Sequence, residues 1–421
     1  MKKMELKNAI KTIIADFHQR DLPKIIERNM SIPLDTGKVV TLIGPRRAGK
    51  TYLLFQAMRR IEDKTNILYI NFEDERLSFR QDDLQLILDA YFELYPKKSE
   101  RDLFIFFDEI QEVESWEKFV RRLYDTVTKK IFLTGSSAKM LSREIATSLR
   151  GRGISYEVYP LSFREYLRFG GVKEDMASTK GKAKAMHEFQ EYLIKGGFPE
   201  TACMEKTIYE KTLSSYFDVM LYRDIVERHS ISNPQAVRDL LRHLVSQSSK
   251  EFSINKVYND FVSRSMKISK DSLYRFVDYF EDAFIIVPIK NYSDSVRKQI
   301  ARKSYAIDTG LISHASLSAG SDLGRLLENV VLLELKRRGK QVFFFKNGEE
   351  CDFIIKENGK IKDAIQVCYE LNESNRKREI KGLINAMRRF KLKGGTILTM
   401  EKEEKQGKIT IKPATSWLVE G

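Results

Sequence analysis

Cysteine and histidine are both scarce in this sequence. The three cysteines, Cys203, Cys351 and Cys368, lie far apart with no C-x-x-C pair, and the five histidines are scattered in the same way. Neither a disulfide framework nor a zinc cluster is therefore indicated. This use of cysteine fits a reducing compartment, and we expect a cytoplasmic protein.

Long hydrophobic runs are also absent. The longest apolar stretches, at 283–289 and 330–333, are far shorter than the roughly 20 residues that a membrane-spanning helix needs. The amino-terminal segment MKKMELKNAIKTIIADFHQR is interrupted by charge every few residues, unlike a signal peptide. We expect a soluble protein with no membrane partner.

Positive charge, in contrast, is in excess. The chain has 421 residues, of which 42% are hydrophobic, so it can form two or three domains with their own cores. Its 73 Lys and Arg against 59 Asp and Glu give a formal net charge of +14. Such a charge favours a polyanionic partner, which we expect to be DNA, although many basic enzymes carry as much.

A phosphate-binding loop is the most specific motif. The segment GPRRAGKT at 44–51 fits G-x-x-x-x-G-K-T, and it lies between an apolar segment at 38–43 and a helical pattern at 52–61. A strand before the loop and a helix after it are the context that this motif requires. The sequence therefore predicts ATP as a cofactor.

Each residue of the loop has an expected role. Gly44 and Gly49 let backbone N–H groups point at the phosphates, and Lys50 reaches the β- and γ-phosphates. Thr51 is expected to bind Mg²⁺ together with Asp108. The predicted nucleotide-binding residues are Gly44, Pro45, Arg46, Arg47, Ala48, Gly49, Lys50, Thr51, Tyr52, Asp108 and Ser136.

A second motif, LFIFFDEIQ at 103–111, is a continuous apolar run that ends in two acids. Such a run is typical of a buried parallel strand, whose carboxyl end lies beside the phosphate-binding loop. Asp108 is then placed for Mg²⁺, and Glu109 is placed to polarise the attacking water. The alternative is a strand that merely ends in solvated acids.

A third segment, KIFLTGSSAKM at 130–140, is an apolar strand that ends in hydroxyl residues. Ser136 is a candidate sensor of the γ-phosphate, and a helix-capping serine explains it equally well. Helical patterns separate the strands and so predict a five-stranded parallel α/β sheet of the P-loop NTPase class. The predicted strands lie at 38–43, 66–72, 103–108, 130–134 and 154–159.

These motifs carry a family resemblance. GPRRAGKT, FDEIQ, LTGSSAKML and SREIATSLRGR, followed by YPLSFREYL, resemble the AAA-type ATPases of archaea and bacteria in which this domain precedes a carboxy-terminal domain of unassigned function. The resemblance implies an ATPase of the additional-strand class, with Glu109 and Lys50 catalytic. It also makes a homo-oligomer plausible.

An arginine finger would need such an oligomer, because it stabilises charge at a neighbouring subunit's γ-phosphate. Arg143, Arg150 and Arg152 lie in SREIATSLRGR, and we take Arg152 as the candidate. Arginines on a surface helix are more often simply solvated.

The middle of the chain is predicted to be mainly helical. Residues 173–184 have the composition of an exposed linker, and 185–194 and 207–226 have the pattern of lid helices. Residues 233–290 then predict three helices and a strand pair, which is a winged-helix pattern. Ser269 is expected to cap a groove-reading helix that exposes Lys270 and Arg275. The alternative is a module that packs against its neighbours and reads no DNA.

The carboxy-terminal part has the order helix, strand, strand, strand, with an Asn-Gly turn between the last two. This order resembles the PD-(D/E)XK nuclease-like core, which is a restriction-endonuclease-like α/β fold. By position Glu328 and Asp352 match the family's acids, whereas Gln366 replaces the second acid and Cys368 the lysine. Because Mg²⁺ prefers anionic oxygen ligands, we expect a degenerate nuclease site. A shifted acid such as Glu334 is the alternative that would preserve cleavage.

Three basic clusters accompany this core, at 335–340, 375–382 and 388–395. Together they are predicted to form a phosphate-binding face, although solvated helix surfaces explain each cluster alone. The nucleic-acid candidates are Lys270, Arg275, Arg337, Arg338, Arg376, Lys377 and Arg378.

The predicted organisation has four parts: an ATPase domain at 1–170, a helical lid at 171–230, a winged-helix-like module at 231–300 and a nuclease-like domain at 301–421. The function predicted from it is an oligomeric, Mg²⁺-dependent AAA-type ATPase that couples hydrolysis to DNA binding or remodelling. Two alternatives stay open: an ATP-regulated DNA nuclease, and a nucleotide switch that assembles protein partners.

Overall fold

The computed structural model describes residues 3–136, 149, 151–293, 302–316 and 322–420. The chain forms two compact units, Met1–Val158 and Tyr159–Gly421. The first unit therefore ends before the predicted domain boundary at 170. Within the described residues, no helix is both long enough and apolar enough to cross a membrane.

The first unit contains a five-stranded sheet with the order β2-β3-β4-β1-β5, and all its strand pairs are parallel. Strands β1 to β4 are almost wholly buried, which explains their continuous apolar sequences. The five predicted strands are confirmed, and the fold is that of a P-loop NTPase. The strands are β1 (Val39–Ile43), β2 (Ile67–Asn71), β3 (Phe104–Asp108), β4 (Ile131–Gly135) and β5 (Gly153–Glu157).

Helices cover this sheet. The amino-terminal helix α1 is amphipathic, and its Phe17 ring packs against Tyr69 of β2 with 5.1 Å between centroids. Helix α2 begins at Lys50, directly after the loop, so it starts slightly earlier than the predicted helix at 52–61. The helices are α1 (Lys3–Gln19), α2 (Lys50–Met58), α3 (Gln85–Leu94) and α4 (Trp116–Thr126).

The second unit opens with helices. Helix α6 begins inside the segment predicted as a linker at 173–184, because Ser178 caps it by accepting a hydrogen bond from the Gly181 N–H. Helix α7 continues as a π-helical turn, Tyr222–Glu227. The three helices are α5 (Phe163–Phe169), α6 (Thr179–Lys195) and α7 (Lys206–Leu221).

A three-helix module follows, with a small antiparallel sheet of order β6-β8-β7. This is the order of elements that the winged-helix interpretation requires. The predicted boundary at 300 was wrong, because β8 hydrogen-bonds to β6 and β7 and so belongs to this module. The elements are α8 (Pro234–Ser246), β6 (Glu251–Phe252), α9 (Ile254–Ser263), α10 (Lys270–Asp282), β7 (Ile286–Lys290) and β8 (Arg302–Ala306).

The carboxy-terminal elements form a six-stranded mixed sheet with the order β13-β14-β12-β11-β10-β9. Strands β9, β10 and β11 are antiparallel neighbours, and β12 runs parallel to β11 after a helical crossover. The predicted Asn-Gly turn joins β10 to β11, with φ of 48° at Asn358 and 78° at Gly359. The elements are α11 (Thr309–Ala315), α12 (Leu323–Arg337), β9 (Gln341–Asn347), β10 (Glu349–Glu357), β11 (Lys360–Val367), α13 (Glu373–Phe390), β12 (Gly395–Thr399), β13 (Glu404–Gln406), β14 (Ile409–Pro413) and α14 (Ala414–Val419).

A buried polar network joins β8 to α12. The Asn329 side chain is fully buried; its Oδ1 accepts hydrogen bonds from Ser248 Oγ (2.6 Å) and the Ala306 N–H (2.9 Å), and its Nδ2 donates to the Ala306 carbonyl (2.9 Å). Because every polar atom of the amide is used, the network fixes the position of β8 against the helix.

Candidate functional site

The phosphate-binding loop leaves the carboxyl end of β1. At Gly44 a Cβ atom would lie 2.2 Å from the carbonyl oxygen of Val158, so only glycine fits. Gly49, with φ of 89°, occupies the left-handed region immediately before α2. Both glycines of the motif are thus required by the local backbone.

Lys50 is the first residue of α2, and its side chain is only 4% exposed. Its Nζ donates hydrogen bonds to the carbonyls of Gly44 and Pro45, both at 3.1 Å, and lies 3.4 Å from Glu109 Oε1. The ammonium is therefore held inside the loop, next to Glu109, the residue predicted to activate the attacking water.

Asp108 ends β3 and contacts three hydroxyl groups. Its Oδ2 accepts hydrogen bonds from Thr51 Oγ1 (2.8 Å) and from the Tyr69 hydroxyl (3.1 Å), and its Oδ1 accepts one from Thr134. Burial raises the pKa of Asp108, although the Thr134 and Thr51 hydrogen bonds oppose this rise. The structure thus brings together Thr51 and Asp108, the two residues predicted to bind Mg²⁺.

Glu109 has a left-handed backbone, with φ of 52°, and is buried. Its N–H donates to Thr134 Oγ1 at 2.9 Å, and its Oε2 accepts a 2.6 Å hydrogen bond from Gln111 Nε2. Burial alone would raise the pKa of Glu109, but the charge of Lys50 and the Gln111 hydrogen bond outweigh it and lower the pKa. The carboxylate is therefore ionised at neutral pH, as a general base must be.

Gln111 was missed by the sequence reasoning, and Thr134 was considered only as one of the hydroxyl residues that end β4. The Gln111 amide nitrogen is also 3.5 Å from Oγ of Ser136, and among the described residues its Oε1 is buried without a hydrogen-bond partner. Gln111 therefore connects the catalytic acid to the candidate sensor Ser136. The spacing D-E-x-Q was the available signal, since the short 3₁₀ turn at Ile110–Glu112 brings Gln111 back to Glu109.

The rest of the loop is held from outside. Arg46 pairs with Glu73 at 2.8 Å, and the Ala48 carbonyl accepts a 2.8 Å hydrogen bond from Arg28. Tyr52 is 52% exposed on α2 and contacts the Phe55 ring. Arg47 has φ of 65°, a strained value for a residue with a side chain.

Arg152, the predicted arginine finger, lies at the opposite end of the strands from the phosphate-binding loop. Arg152 directly precedes β5, whereas the loop follows the other end of the parallel neighbour β1. Its guanidinium pairs with Asp125 at 3.2 Å and stacks on Tyr124 at 5.6 Å from the ring centroid. Arg152 is therefore not part of its own chain's nucleotide site. Arg143 and Arg150 lie outside the described residues.

The four residues of the nuclease-like site do come together in the second unit. Glu328, Asp352, Gln366 and Cys368 line one pocket of about 860 Å³. Burial and the nearby Glu328 raise the pKa of Asp352 well above its ordinary value. Glu334 is absent from the lining, because it pairs with Arg337 and Arg338. The shifted-acid alternative was wrong for Glu334.

An unpredicted residue pairs with the carboxylates of this pocket from behind its lining. Lys303, from β8, places its Nζ 3.1 Å from Glu328 Oε1, 2.5 Å from Glu350 Oε1 and 3.6 Å from Asp352 Oδ1. Burial would lower the pKa of this lysine, but the surrounding carboxylates raise it well above its ordinary value. No sequence pattern pointed to it, because β8 belongs to the preceding module.

Two of the nucleic-acid candidates are not available to a phosphate. Arg337 is half-buried and donates hydrogen bonds to Glu334 and to the Pro160 carbonyl (3.1 Å), and Arg338 stacks on Trp417 with 4.3 Å to the ring centroid. The prediction that they belong to a phosphate-binding face was wrong for these side chains.

The remaining candidates are accessible to differing degrees. Arg376 pairs with Glu404 at 2.7 Å, Arg378 pairs with Glu379 at 2.6 Å, and Lys377 is exposed on α13. Lys270 and Arg275 are exposed on the first turns of α10, with Lys270 5.0 Å from the Tyr258 ring centroid. Ser269 caps this helix as predicted, accepting from the Ser272 N–H at 3.1 Å.

Comparison with known protein families identifies an AAA domain in the amino-terminal part of the chain. Residues 36–167 match the AAA domain family AAA_14, and residues 186–322 match a domain of unknown function, DUF8612. The chain is 42% identical over 377 residues to the uncharacterised protein MJ1544 of Methanocaldococcus jannaschii, covering 88% of this chain and 83% of that protein. The chain belongs to this family of AAA-domain P-loop ATPases.

Two further likenesses accompany this assignment. An uncharacterised protein of Haemophilus influenzae is 31% identical to this AAA-domain ATPase over 349 residues, which is 81% of this chain and 84% of that protein. The Walker-type ATPase PABY2304 of Pyrococcus abyssi is a distant structural match, with a TM-score of 0.42 and 16% identity over 66% of this chain and 90% of that one. Neither family description names a nuclease or a winged helix.

Proposed function

We propose that this AAA-domain ATPase hydrolyses ATP in a Mg²⁺-dependent reaction at the loop of its first unit. The observation that carries the proposal is the 2.8 Å hydrogen bond between Thr51 and Asp108, beside the buried ammonium of Lys50. These oxygen donors fit Mg²⁺, and Thr51 and Asp108 would hold it. When bound, the ion neutralises charge on the phosphates.

The remaining steps of hydrolysis are assigned to protein side chains. Lys50 binds the β- and γ-phosphates from inside the loop. Glu109 orients the attacking water and accepts its proton, for which its lowered pKa keeps it ionised. Gln111 holds the Glu109 carboxylate in place, and the same Nε2 atom lies 3.5 Å from the hydroxyl oxygen of Ser136.

Phosphate release by the purified protein tests this role. Glu109→Gln keeps the side-chain volume and removes the base, so we expect turnover to fall by about 100-fold or more while ATP is still bound. Lys50→Ala is the blank, since it removes the phosphate contact. A Glu109→Gln protein that turns over at the normal rate would show that another residue activates the water.

A coupling to DNA is the finer part of the proposal. It is supported by the net charge of +14 and by the exposed Lys270 and Arg275 at the start of α10, in a module with the element order of a winged helix. We propose that the protein is a homo-oligomer that couples ATP hydrolysis to binding or remodelling DNA. Light scattering with and without ATP tests the oligomer directly.

Two experiments test the coupling. The first measures phosphate release with single-stranded, duplex and branched DNA, and we expect one form to stimulate turnover. The second compares the salt dependence of DNA binding for Lys270→Glu with Arg275→Glu and for a matched control, Lys182→Glu with Lys184→Glu, on the exposed face of α6. The α10 changes should reduce the salt slope, and the control should not.

The alternative is a nucleotide switch that assembles protein partners. Turnover that no DNA changes, together with equal salt slopes for the two charge reversals, would favour this switch over DNA coupling. The ATPase assignment would survive that outcome, because it depends on Lys50, Thr51, Asp108 and Glu109 and on no DNA contact.

A further inference from the structure

The nuclease-like architecture of the second unit implies a divalent metal, and its residues can be tested against that expectation. Of the four positions, only Glu328 and Asp352 offer carboxylates. Gln366 has both amide atoms engaged: its Oε1 accepts from the Asp352 N–H at 3.2 Å, and its Nε2 donates to Glu379 Oε2 at 2.7 Å. Cys368 offers a soft sulfur, which Mg²⁺ does not select.

The geometry agrees with this chemistry. Within the described part of the chain, no group of three or more His, Cys, Asp and Glu side chains is arranged to hold a metal ion. With Lys303 paired to its carboxylates, the donor set therefore does not fit the metal that the resemblance to a nuclease core implies.

Lys303 fills the corresponding position. Its ammonium lies among Glu328, Glu350 and Asp352, within 3.6 Å of a carboxylate oxygen of each. A positive charge in this place satisfies the same carboxylates that a metal would need. The Tyr305 hydroxyl, two residues along the strand, donates a further 2.6 Å hydrogen bond to Glu328.

The lysine is built into the fold. Its side chain is 4% exposed, and its backbone lies in β8, the central strand of the small sheet, paired with Glu251 on one side and Ile289 on the other. Its Nζ is also 5.7 Å from the Phe344 ring centroid. Because β8 is paired on both edges, the backbone of Lys303 is fixed beside these carboxylates.

We infer that Lys303 is the resident cation of the carboxy-terminal pocket, where it takes the place of the divalent metal and clamps the three-helix module to the mixed sheet. The domain is then metal-free, and its carboxylates serve as anchors for an ammonium.

Binding of Mn²⁺ to the full-length, nucleotide-free protein tests this inference. Free Mn²⁺ is measured by electron paramagnetic resonance, and Asp352→Asn identifies binding at this pocket, since Asp108 of the first unit is untouched. We expect identical Mn²⁺ isotherms for the wild type and Asp352→Asn. We expect Lys303→Met to gain about one site per chain, and Lys303→Met with Asp352→Asn to lose it.

A control and a second variant make every result decisive. Glu349→Gln removes a rim carboxylate that pairs with Lys381 rather than Lys303, so Lys303→Met with Glu349→Gln should keep the gained site. A wild-type Mn²⁺ site that Asp352→Asn removes would overturn the inference, and so would a folded Lys303→Met protein that gains no site. If Lys303→Met does not fold, Lys303→Gln replaces it; if neither folds, the wild type against Asp352→Asn decides alone. ATP turnover plays no part in this readout, so its outcome is independent of the proposed function.

Discussion

The side-chain amide of Gln111 donates a 2.6 Å hydrogen bond to the carboxylate of Glu109, and its own carbonyl oxygen is buried without a partner among the described residues. This hydrogen bond restricts the orientation of the Glu109 carboxylate. We assign Gln111 as a positioning residue for Glu109.

Gln111→Ala should lower kcat by about 10-fold with little change in KM for ATP, because the general base loses its orientation. The hydrogen bond helps to lower the pKa of Glu109, so the acidic limb of the pH–rate profile should move to higher pH. Gln85→Ala, at an exposed hydrogen bond to Asp89, is the control. An unchanged acidic limb would leave Gln111 with a structural role only.

Thr134 should be more sensitive than its sequence position suggests. Its Oγ1 accepts from the Glu109 N–H and donates to Asp108, so Thr134→Val leaves both groups without this partner. We expect a loss of about 1–3 kcal/mol in the free energy of unfolding and weaker binding of Mg-ATP. Thr134→Ser retains the hydroxyl and should stay near the wild type in both measurements. Equal behaviour of the two variants would contradict the role of the hydroxyl.

Two basic residues that the sequence reasoning grouped together, Arg337 and Lys377, should differ in their contribution to the free energy of unfolding. Arg337→Met leaves the buried Glu334 with Arg338 as its remaining partner and should cost about 1–3 kcal/mol. Lys377→Met, on the exposed face of α13, should be nearly neutral. Chemical denaturation of the two variants checks this, and a neutral Arg337→Met would show that the buried pair is dispensable.

Asp308 should make the stability of the second unit depend on pH. Burial raises its pKa to about 7, although the N–H groups of Gly197 and Gly310 hydrogen-bond to it. Below pH 4 both folded and unfolded chains are protonated here. Between about pH 4 and 7 the unfolded chain ionises first, so the free energy of unfolding falls as pH rises, by up to the order of 4 kcal/mol.

Asp308→Asn should remove this pH dependence, even if it lowers stability at every pH by losing one acceptor. The protein has two tryptophans, so Trp116→Phe leaves Trp417 as the only fluorescent reporter of the second unit. Denaturant titrations of the Trp116→Phe protein at pH 4.5 and 7.5, with and without Asp308→Asn, give the comparison. A slope that survives in the double variant would assign it to another group.

The sequence predicted what short-range patterns encode. The five strands of the first unit, the loop at Gly44 to Thr51 and the paired acids Asp108 and Glu109 are each contiguous in sequence, and each lies where expected. The contacts between them were harder to predict, because the partners of Glu109 are Lys50 and Thr134, which come from other segments of the sheet edge.

In the second unit, the contacts of the charged side chains could not be predicted from the sequence. Basic clusters were predicted to be one exposed face, but composition cannot tell a solvated arginine from Arg337, whose neighbour Glu334 lies one helical turn away. The position of Lys303 could not be predicted either, because only the tertiary pairing of β8 brings its side chain to the carboxylates of Glu328, Glu350 and Asp352.

The network around Asn329 and the position of Lys303 have a joint mechanical consequence. Both act on β8, one through neutral hydrogen bonds and the other through charge, so sliding or lifting this strand would uncover an amide and three carboxylates in the same movement. Displacing β8 would therefore break neutral and charged contacts together, which favours its present position over intermediate ones.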